Sequence, residues 1–568
     1  MDIKKIRELI TKYSLQNAIM FDGKCNPGSI VGKIIGECPE AKANMKEVMQ
    51  VINDIVSKIN LLTIEDQRNE LKLLAPELLD KKKGEKRTGL KELKEVNSEN
   101  FVVRIAPSPS GPLHIGHAYG CSLNYEYAKK YKGKLVVRIE DTNPGNIYEP
   151  AYDLIKRDCE WLTDNNVDEF YIQSSRLEIY YEYAKKLVDL GKAYVCTCDS
   201  DEWRDLKNKG IACPCRELSS DNQNERYVKM FSDYKEGEAV LRLKTDITHK
   251  NPAMRDFSLM RINEHIHPRT KDKYRVWPLM VLSVAIDDHL MGITHVLNGK
   301  DHADNAKKES LIMGFLGWKP PIYQHWGRIN FEGFELSSSK TKIKIEQNEY
   351  DSWEDIRLPF LPALRRRGYQ AGAFRKFALE IGLSQNDKKV EISEFWKNIN
   401  TLNKQLIEKD SFRYFLVHES IKIDVRGAPI QDLELDLHPE NKKGGRVFHT
   451  NQSFYISKED YDAIKDMECV RLMDCLNIVK KGDIFEFSSR NYEDFKKVGS
   501  KIIHWLPEEG NVNVEVLMPD KKVISGYGEG SLSEINKGQI IQFERFGFCR
   551  FDKFDDTTKT YHFWFAHK

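Results

Sequence analysis

The chain has 568 residues, and this length predicts several domains because a single hydrophobic core rarely serves so long a chain. Hydrophobic residues make up 40% and charged residues 31%, values that exclude a disordered or fibrous protein. Lysine and arginine total 88 against 87 acidic residues, so the net charge of +1 excludes a uniformly basic nucleic-acid-binding chain but permits a local basic face.

The sequence contains no stretch of about 20 apolar residues, the length that spans a bilayer. The opening residues, MDIKKIRELITKYSL, are amphipathic and charged throughout, unlike a signal peptide. The eleven cysteines are mostly scattered singly, as expected in a reducing compartment. We therefore expect a soluble, cytoplasmic protein with no membrane partner.

Residues 1–80 are predicted to form a helical domain, because apolar residues such as Val48, Val51 and Ile55 recur at helical spacing. Residues 81–100 carry many charges and few apolar side chains, which predicts a solvated linker. A dedicated RNA-binding arm is the alternative interpretation of that segment.

Segments typical of strands and helices alternate over residues 101–345, which predicts a doubly wound α/β core of the Rossmann-like type with a parallel sheet. Residues 346–420 are predicted to be a helical connecting domain. Over residues 421–568 short strands alternate with turns, which predicts a C-terminal β-barrel region.

The first predicted strand leads directly into RIAPSPSGPLHIGH, residues 104–117, here named the signature loop. Prolines and Gly111 stiffen a turn at the carboxyl end of a strand, where open α/β sheets bind ligands. His114 and His117 lie near the start of the next helix, whose dipole favours anions, and Gly116 lets a base or phosphate approach the backbone. Two imidazoles placed there can donate hydrogen bonds to phosphate oxygens as negative charge builds up in a transition state.

Four of the cysteines form two close pairs, Cys196 with Cys198 and Cys213 with Cys215. Four thiolates so arranged suit tetrahedral zinc, and the role would be structural because four cysteines leave no open position for catalysis. Ordinary intracellular thiols are the alternative interpretation.

Several motifs resemble the glutamyl/glutaminyl group of class I aminoacyl-tRNA synthetases. The string RIAPSPSGPLHIGHA is similar to the class I signature, and RIEDTNP at 138–144 resembles a second strand of that group. Residues 337–341, SSSKT, resemble the family's lysine loop without its first lysine and its methionine, and are here named the lysine loop. Residues 292–302 resemble the segment that lines the amino-acid and ATP-ribose pockets. The region from residue 421 resembles the anticodon-binding barrels of the archaeal and eukaryotic branch.

The resemblance implies a glutamate–tRNA ligase that uses ATP and Mg²⁺ to form glutamyl-adenylate and then transfers glutamate to the 3′ end of tRNA(Glu). An insertion at about residues 190–275 would meet the acceptor end of the tRNA, and some family members carry zinc there. The implied catalytic residues are His114, His117 and Lys340. The implied ATP contacts are Pro107, Gly111, Gly116, Asp301 and Ser339. The implied substrate contacts are Arg104 for the side-chain carboxylate, Glu140 for the amino group, Trp277 and Asn298.

Two positions depart from the family pattern for glutamate. Asn298 lies where glutamyl enzymes commonly carry an arginine, and Met280 aligns with a usual tyrosine. An asparagine side chain can hydrogen-bond either a carboxylate or an amide. A glutaminyl enzyme, or a non-discriminating one that also charges tRNA(Gln), is therefore the nearest alternative, and a non-catalytic tRNA-binding paralogue is a more distant one.

Overall fold

The structure, a computed structural model, describes residues 3–21, 23–79 and 90–568. The chain divides into two units, Met1–Thr88 and Gly89–Lys568. No helix in the described ranges is both long enough and apolar enough to cross a membrane.

The first unit contains four described helices: α1 (Ile3–Met20), α2 (Pro27–Glu37), α3 (Met45–Ile59) and α4 (Ile64–Leu74). Val48, Ile52 and Val56 recur on one face of α3 and are at most 3% exposed, because this spacing places them on the side that packs against the other helices. The predicted helical N-terminal region is confirmed.

The second unit begins with an α/β region. Its strands are β1 (Val102–Ile105), β2 (Lys134–Ile139), β3 (Glu169–Ile172), β4 (Ala193–Cys196), β5 (Val240–Leu243), β6 (Ser258–Ile262), β7 (Val276–Pro278), β8 (His295–Gly299), β9 (Ile322–Trp326) and β10 (Ile329–Glu332). Its helices are α5 (Ile115–Tyr131), α6 (Ala151–Leu162), α7 (Leu177–Asp189), α8 (Ser200–Lys209), α9 (Ser220–Met230), α10 (Met280–Leu290), α11 (Ala303–Phe315) and α12 (Ser338–Glu346).

Parallel strands form the centre of this region. β1, β2 and β3 pair in parallel in that order, and β8 pairs in parallel with β9. The N–H of Thr294, just before β8, donates to the carbonyl of Val102 on β1 over 3.0 Å, so the two sheets adjoin. The predicted doubly wound, Rossmann-like core is confirmed, and its carboxyl edge is the place where a ligand site is expected.

One predicted strand pairs differently from the expectation. KAYVCTC was expected to extend the parallel sheet, but β4 pairs antiparallel with β5, and β4 to β7 form a separate four-stranded antiparallel sheet. The alternation of strands and helices predicts that a strand exists but does not determine its partner. This sheet, with α8 and α9, accounts for most of the predicted insertion.

The segment before β1 also differs from the expectation. Residues 90–100 form no helix or strand, but Leu93 is 7% exposed and packs in the same core as Phe101. The Lys130 ammonium donates to Glu92 over 2.6 Å, so this segment is attached to α5. Glu92 and Leu93 thus attach residues 90–100 to the core, although most of this segment is exposed. The solvated linker stays a prediction, and its residues 81–89 lie outside the described residues.

Helices connect the α/β region to the C-terminal strands. They are α13 (Leu361–Arg367), α14 (Ala371–Ile381) and α15 (Ile392–Ile407), and between the last two lies β11 (Lys388–Glu391), which pairs with β10. The remaining strands are β12 (Phe412–Tyr414), β13 (Leu416–His418), β14 (Ser420–Arg426), β15 (Gln431–His438), β16 (Asn441–Thr450), β17 (Ser453–Ser457), β18 (Cys469–Leu472), β19 (Asn477–Lys481), β20 (Ile484–Ser489), β21 (Gly499–Ile503), β22 (Leu506–Pro507), β23 (Val512–Leu517), β24 (Val523–Gly528), β25 (Ile540–Phe543), β26 (Gly547–Asp555) and β27 (Thr560–His567). The two short helices among them are α16 (Lys458–Ala463) and α17 (Tyr492–Val498).

These C-terminal strands form two seven-stranded sheets and one hairpin. One sheet has the order β12-β25-β26-β27-β23-β24-β13, and the other has the order β21-β18-β19-β20-β14-β17-β22. The predicted barrel-like region is confirmed, although its first strand begins at Phe412, earlier than the expected start at residue 421.

Candidate active site

A cavity of about 210 Å³ lies at the carboxyl ends of β1, β2 and β8 and is here named the active-site cavity. Its position agrees with the edge at which open α/β sheets bind ligands. The residues predicted from the sequence that line it are Arg104, Pro107, Gly116, His117, Glu140 and Asn298. The structure therefore brings together side chains from three separate segments of the chain.

The signature loop holds its two imidazoles through the first turn of α5. The N–H of Gly116 donates to His114 Nδ1 over 3.1 Å, and the N–H of His114 donates to His117 Nδ1 over 3.4 Å. The two rings stack with their centroids 3.8 Å apart. Each imidazole is thus held by the free amides that every helix has at its amino end.

The same contacts determine the protonation of the rings. Desolvation by the surrounding loop lowers the pKa of His114 and of His117, and each ring is neutral at pH 7. Because Nδ1 of each ring accepts a backbone N–H, the ring proton lies on Nε2. His117 keeps an exposed edge at the cleft. The pair can therefore act as neutral hydrogen-bond donors, and the sequence alone did not predict this charge state.

A buried ionic network lies behind the cavity. Asp288 on α10 accepts two hydrogen bonds from Arg104, at 2.7 and 3.0 Å, and one from Arg138 at 2.7 Å. Arg138 also donates to Glu140 over 3.0 Å. Burial raises the pKa of Asp288, but the two arginines lower it further, so the carboxylate remains ionised. The network fixes the positions of Arg104 and Glu140, the two charged residues predicted to bind substrate.

The neighbouring carboxylate, Asp287, connects this network to the next layer. It accepts hydrogen bonds from Tyr180 at 2.6 Å, Arg176 at 2.8 Å and Gln173 at 3.0 Å. Asp287 and Asp288 are both fully buried. Two adjacent acids in the otherwise apolar run VAIDDHL are the sequence signal that could have identified them, since buried acids require partners.

The active-site cavity has little free positive charge. Arg104 is the one arginine or lysine among the described residues that line it, and its guanidinium already pairs with Asp288. Asn298 Oδ1 lies 2.6 Å from His325 Nδ1, which fixes the orientation of the amide. Burial, with the negative charge of Asp288, raises the pKa of Glu309 in the same cavity to about 7.

The lysine loop adjoins the signature loop. A Cβ atom placed on Gly111 would lie 3.0 Å from Ser338 Cβ, so the glycine permits this approach. The hydroxyl of Ser337 caps α12 by accepting the N–H of Lys340, and Ser339 is exposed in the first turn of that helix. The two loops are thus in contact.

The Lys340 side chain, however, does not line the active-site cavity. Its ammonium lies 3.3 Å from Glu335, which also accepts a hydrogen bond from Lys344 at 2.7 Å. The Lys340 side chain is 70% exposed. Lys340 is therefore paired with Glu335 in this structure, and no motif in the sequence predicted that contact.

Two further predicted residues lie away from the cavity lining. Trp277 is 1% exposed, stacks on His267 with ring centroids 5.0 Å apart, and donates from Nε1 to the carbonyl of Asn263, so it packs within the antiparallel sheet. Asp301 is exposed, and its carboxylate lies against the backbone of Gly299, which does line the cavity. Asp301 thus lies at the rim of the active-site cavity and does not line it.

The signature loop has a buried anchor that sequence reasoning missed. Asp158 on α6 accepts the N–H of Leu113, the residue before the first imidazole, over 3.0 Å. Arg365 lies 3.9 Å from the same carboxyl group. Burial raises the pKa of Asp158 to about 7 despite these contacts. Asp158 is a positioning residue for the loop, because it touches the backbone and not the cavity.

The four predicted cysteine ligands form one cluster in the insertion. Their sulfur atoms all lie within 4.8 Å of one another, with Cys196 and Cys213 3.8 Å apart and Cys198 and Cys215 3.7 Å apart. Four sulfurs at about 2.3 Å from a tetrahedral zinc ion would be roughly 3.8 Å apart. The donor set therefore fits the metal.

Comparison with known protein families agrees with this geometry. A family described as tRNA synthetases class I (E and Q), catalytic domain, matches residues 100–408. The anti-codon binding domain of the same class matches residues 411–492 and 502–552. The chain belongs to this family. This class I tRNA synthetase is thus an aminoacyl-tRNA ligase, as the signature and lysine loops predict.

Curated relatives extend the match over the whole chain. A glutamate–tRNA ligase of Methanothermobacter thermautotrophicus is 41% identical over 565 residues, which cover 99% of this chain and 100% of the relative. A glutamate–tRNA ligase of Methanocaldococcus jannaschii is 42% identical and covers 97% of this chain and 98% of the relative. A solved glutamate tRNA ligase of Elizabethkingia meningosepticum is 19% identical, with a TM-score of 0.39, and the match covers 54% of this chain and 70% of that chain.

Proposed function

We propose that this synthetase is a glutamate–tRNA ligase that joins glutamate to the 3′ end of tRNA(Glu). The observation that carries the proposal is the match, over nearly the whole chain, to archaeal enzymes of that name. The stacked imidazoles at the carboxyl end of β1 support it, because they provide two fixed donors beside a cavity lined by Arg104 and Glu140.

In the first step, a carboxylate oxygen of glutamate bonds to the α-phosphorus of ATP, and the bond from that phosphorus to the oxygen bridging the α- and β-phosphates breaks. Pyrophosphate leaves, and no proton is transferred. The Nε2–H groups of His114 and His117 would donate to phosphate oxygens, and Lys340 would leave Glu335 for the triphosphate. Bound Mg²⁺ would supply further neutralisation of the phosphate charge. The residues proposed to contact ATP are Pro107, Gly111, Gly116, Asp301 and Ser339.

In the second step, a hydroxyl of the terminal ribose of the tRNA attacks the activated carbonyl carbon, and the bond from that carbon to the phosphate oxygen of AMP breaks. The hydroxyl proton passes to the phosphate of the leaving AMP. Glu140 is proposed to hold the amino group of glutamate, because that group is positively charged and needs an anion beside it. Arg104 and Asn298 are proposed to contact the side-chain carboxylate. Trp277 is not proposed as a substrate contact, because it is buried in the antiparallel sheet.

Replacement of His117 tests this mechanism. His117→Ala removes one donor that acts on charge developing in the transition state, so the rate of pyrophosphate exchange into ATP should fall about 100-fold. The measurement uses glutamate and tRNA(Glu) at saturation, so that a loss of kcat is distinguished from a rise in KM. His449→Ala, at an exposed barrel position, is the matched control and should leave the rate unchanged. A His117→Ala enzyme that exchanges at the wild-type rate would refute the mechanism.

A second candidate function is supported by the charges of the residues that line the active-site cavity. Arg104 is neutralised by Asp288, Asn298 is uncharged and Glu309 is an additional acid. An amide costs less to bury there than a second carboxylate. Activation of glutamine, in a glutaminyl or non-discriminating enzyme that also charges tRNA(Gln), is therefore the second candidate.

Replacement of Asn298 separates the two candidates. Asn298→Arg introduces a cation that pairs with a carboxylate, so the ratio of kcat/KM for glutamate to that for glutamine should rise about tenfold or more in the exchange reaction. Asn298→Gln keeps an uncharged amide and serves as the control. A wild-type enzyme with no measurable exchange on glutamine would exclude the second candidate.

We also propose that the cysteine cluster holds a structural zinc ion in the insertion. Cys215 Sγ accepts hydrogen bonds from the Arg226 guanidinium at 3.2 Å and from the Thr197 N–H at 3.5 Å, which partly offset the negative charge of the thiolates. The ion would join the end of β4 to the turn that carries Cys213.

Metal analysis of the purified full-length chain tests this site. The wild type should contain about one zinc ion per chain, and Cys213→Ser should lower the content severalfold and lower the unfolding temperature. Cys38→Ser, a half-buried cysteine of the first unit, should retain the metal. Equal zinc content in the two variants would contradict the assignment.

A further inference from the structure

A second and larger cavity, of about 790 Å³, lies between the lysine-loop region, helices α13 and α15, and the last strand, β27. None of its lining residues lines the active-site cavity. A volume of this size is within the range of small-molecule sites. It is here named the aromatic cavity because its walls include Phe334, Tyr350, Tyr369, Trp396 and Phe565.

One buried cation at this cavity has no counter-ion among the residues that the structure describes. Arg367 is 5% exposed, and its guanidinium donates to the carbonyls of Phe565 at 3.3 Å and Ala566 at 2.9 Å. Within the described part of the chain, no carboxylate forms an ion pair with it, and burial lowers the pKa of Arg367. A buried charge held only by neutral partners is costly, and an anion would relieve that cost.

Two other charged side chains at the cavity, Arg357 and Glu335, are already paired. Arg357 donates to Asp355 from two nitrogens, at 2.9 and 2.7 Å. Glu335 pairs with Lys340 and Lys344. Lys568 also lines the cavity but is exposed, so among the described lining residues the buried charge without an ion pair is that of Arg367.

Rings surround this guanidinium. Its central carbon lies 5.1 Å from the centroid of Trp396 and 5.3 Å from that of Tyr369. The Tyr369 hydroxyl donates to Asn400 Oδ1 over 2.6 Å. Asn400 lines the same cavity, and its amide N–H groups point away from the Tyr369 hydroxyl. Aromatic faces favour a flat apolar body, and the amide provides a second donor beside the cation.

We propose that the aromatic cavity is a second ligand site, separate from the active site, that binds a small aromatic carboxylate. The carboxylate pairs with Arg367, and the ring packs against Trp396 and its aromatic neighbours. Thr341 of the lysine loop and the nearby Glu335 also line the cavity, which therefore extends to that loop.

Calorimetric titration of the full-length protein with 1-naphthoate, and with the uncharged 1-naphthamide, tests the proposal. The carboxylate should bind at least about tenfold more tightly than the amide, because only the anion pairs with Arg367. Saturating ATP should leave the affinity for naphthoate unchanged, which separates this site from the active site.

Two variants complete the test. Arg367→Met should weaken naphthoate about tenfold or more while leaving naphthamide unchanged. Because Arg367→Met also removes two backbone contacts, Ile392→Trp is the second variant: it places a large ring at the half-exposed cavity wall and leaves the arginine intact. It should abolish binding of both probes. No binding to the wild type, equal affinity for the two probes, displacement by ATP, or unchanged binding in Ile392→Trp would each overturn the proposal.

Discussion

The active-site cavity depends on the carboxylate of Asp288. It is fully buried, it accepts hydrogen bonds from Arg104 on β1 and Arg138 on β2, and it belongs to α10. Loss of one member would leave a buried charge unpaired, at a cost of about 3–5 kcal/mol. The positions of Arg104 and Glu140 therefore depend on this ionic network, while apolar residues of α10 such as Leu282 and Ile286 pack in a buried core.

The two loops at the cavity mouth contribute charge in different ways. His114 and His117 are held by backbone contacts and are neutral, so their donors are in place before any ligand binds. Lys340 is exposed and pairs with Glu335. An exposed pair of this kind contributes little to stability, so a triphosphate can take the lysine from the glutamate at little cost.

The sequence predicted the secondary-structure elements better than it predicted which elements and side chains contact each other. Alternating segments indicated the parallel core, and the signature loop indicated both imidazoles, because these signals are local in the chain. The pairing of β4 and the contact between Arg104 and Asp288 were not predicted, since the latter joins residues 184 positions apart. Trp277, expected at the substrate, supports the antiparallel sheet instead. Local patterns contain no information on which buried charges will meet.

Steady-state kinetics of Asp288→Asn test whether this carboxylate positions the substrate-binding residues, with the exposed Asp153→Asn as control. We expect a KM for glutamate at least about tenfold above that of the wild type and a KM for ATP nearly unchanged, because the variant releases Arg104 and Glu140 from their fixed positions and leaves His114 and His117 in place. A folded Asp288→Asn enzyme with the wild-type KM for glutamate would contradict it.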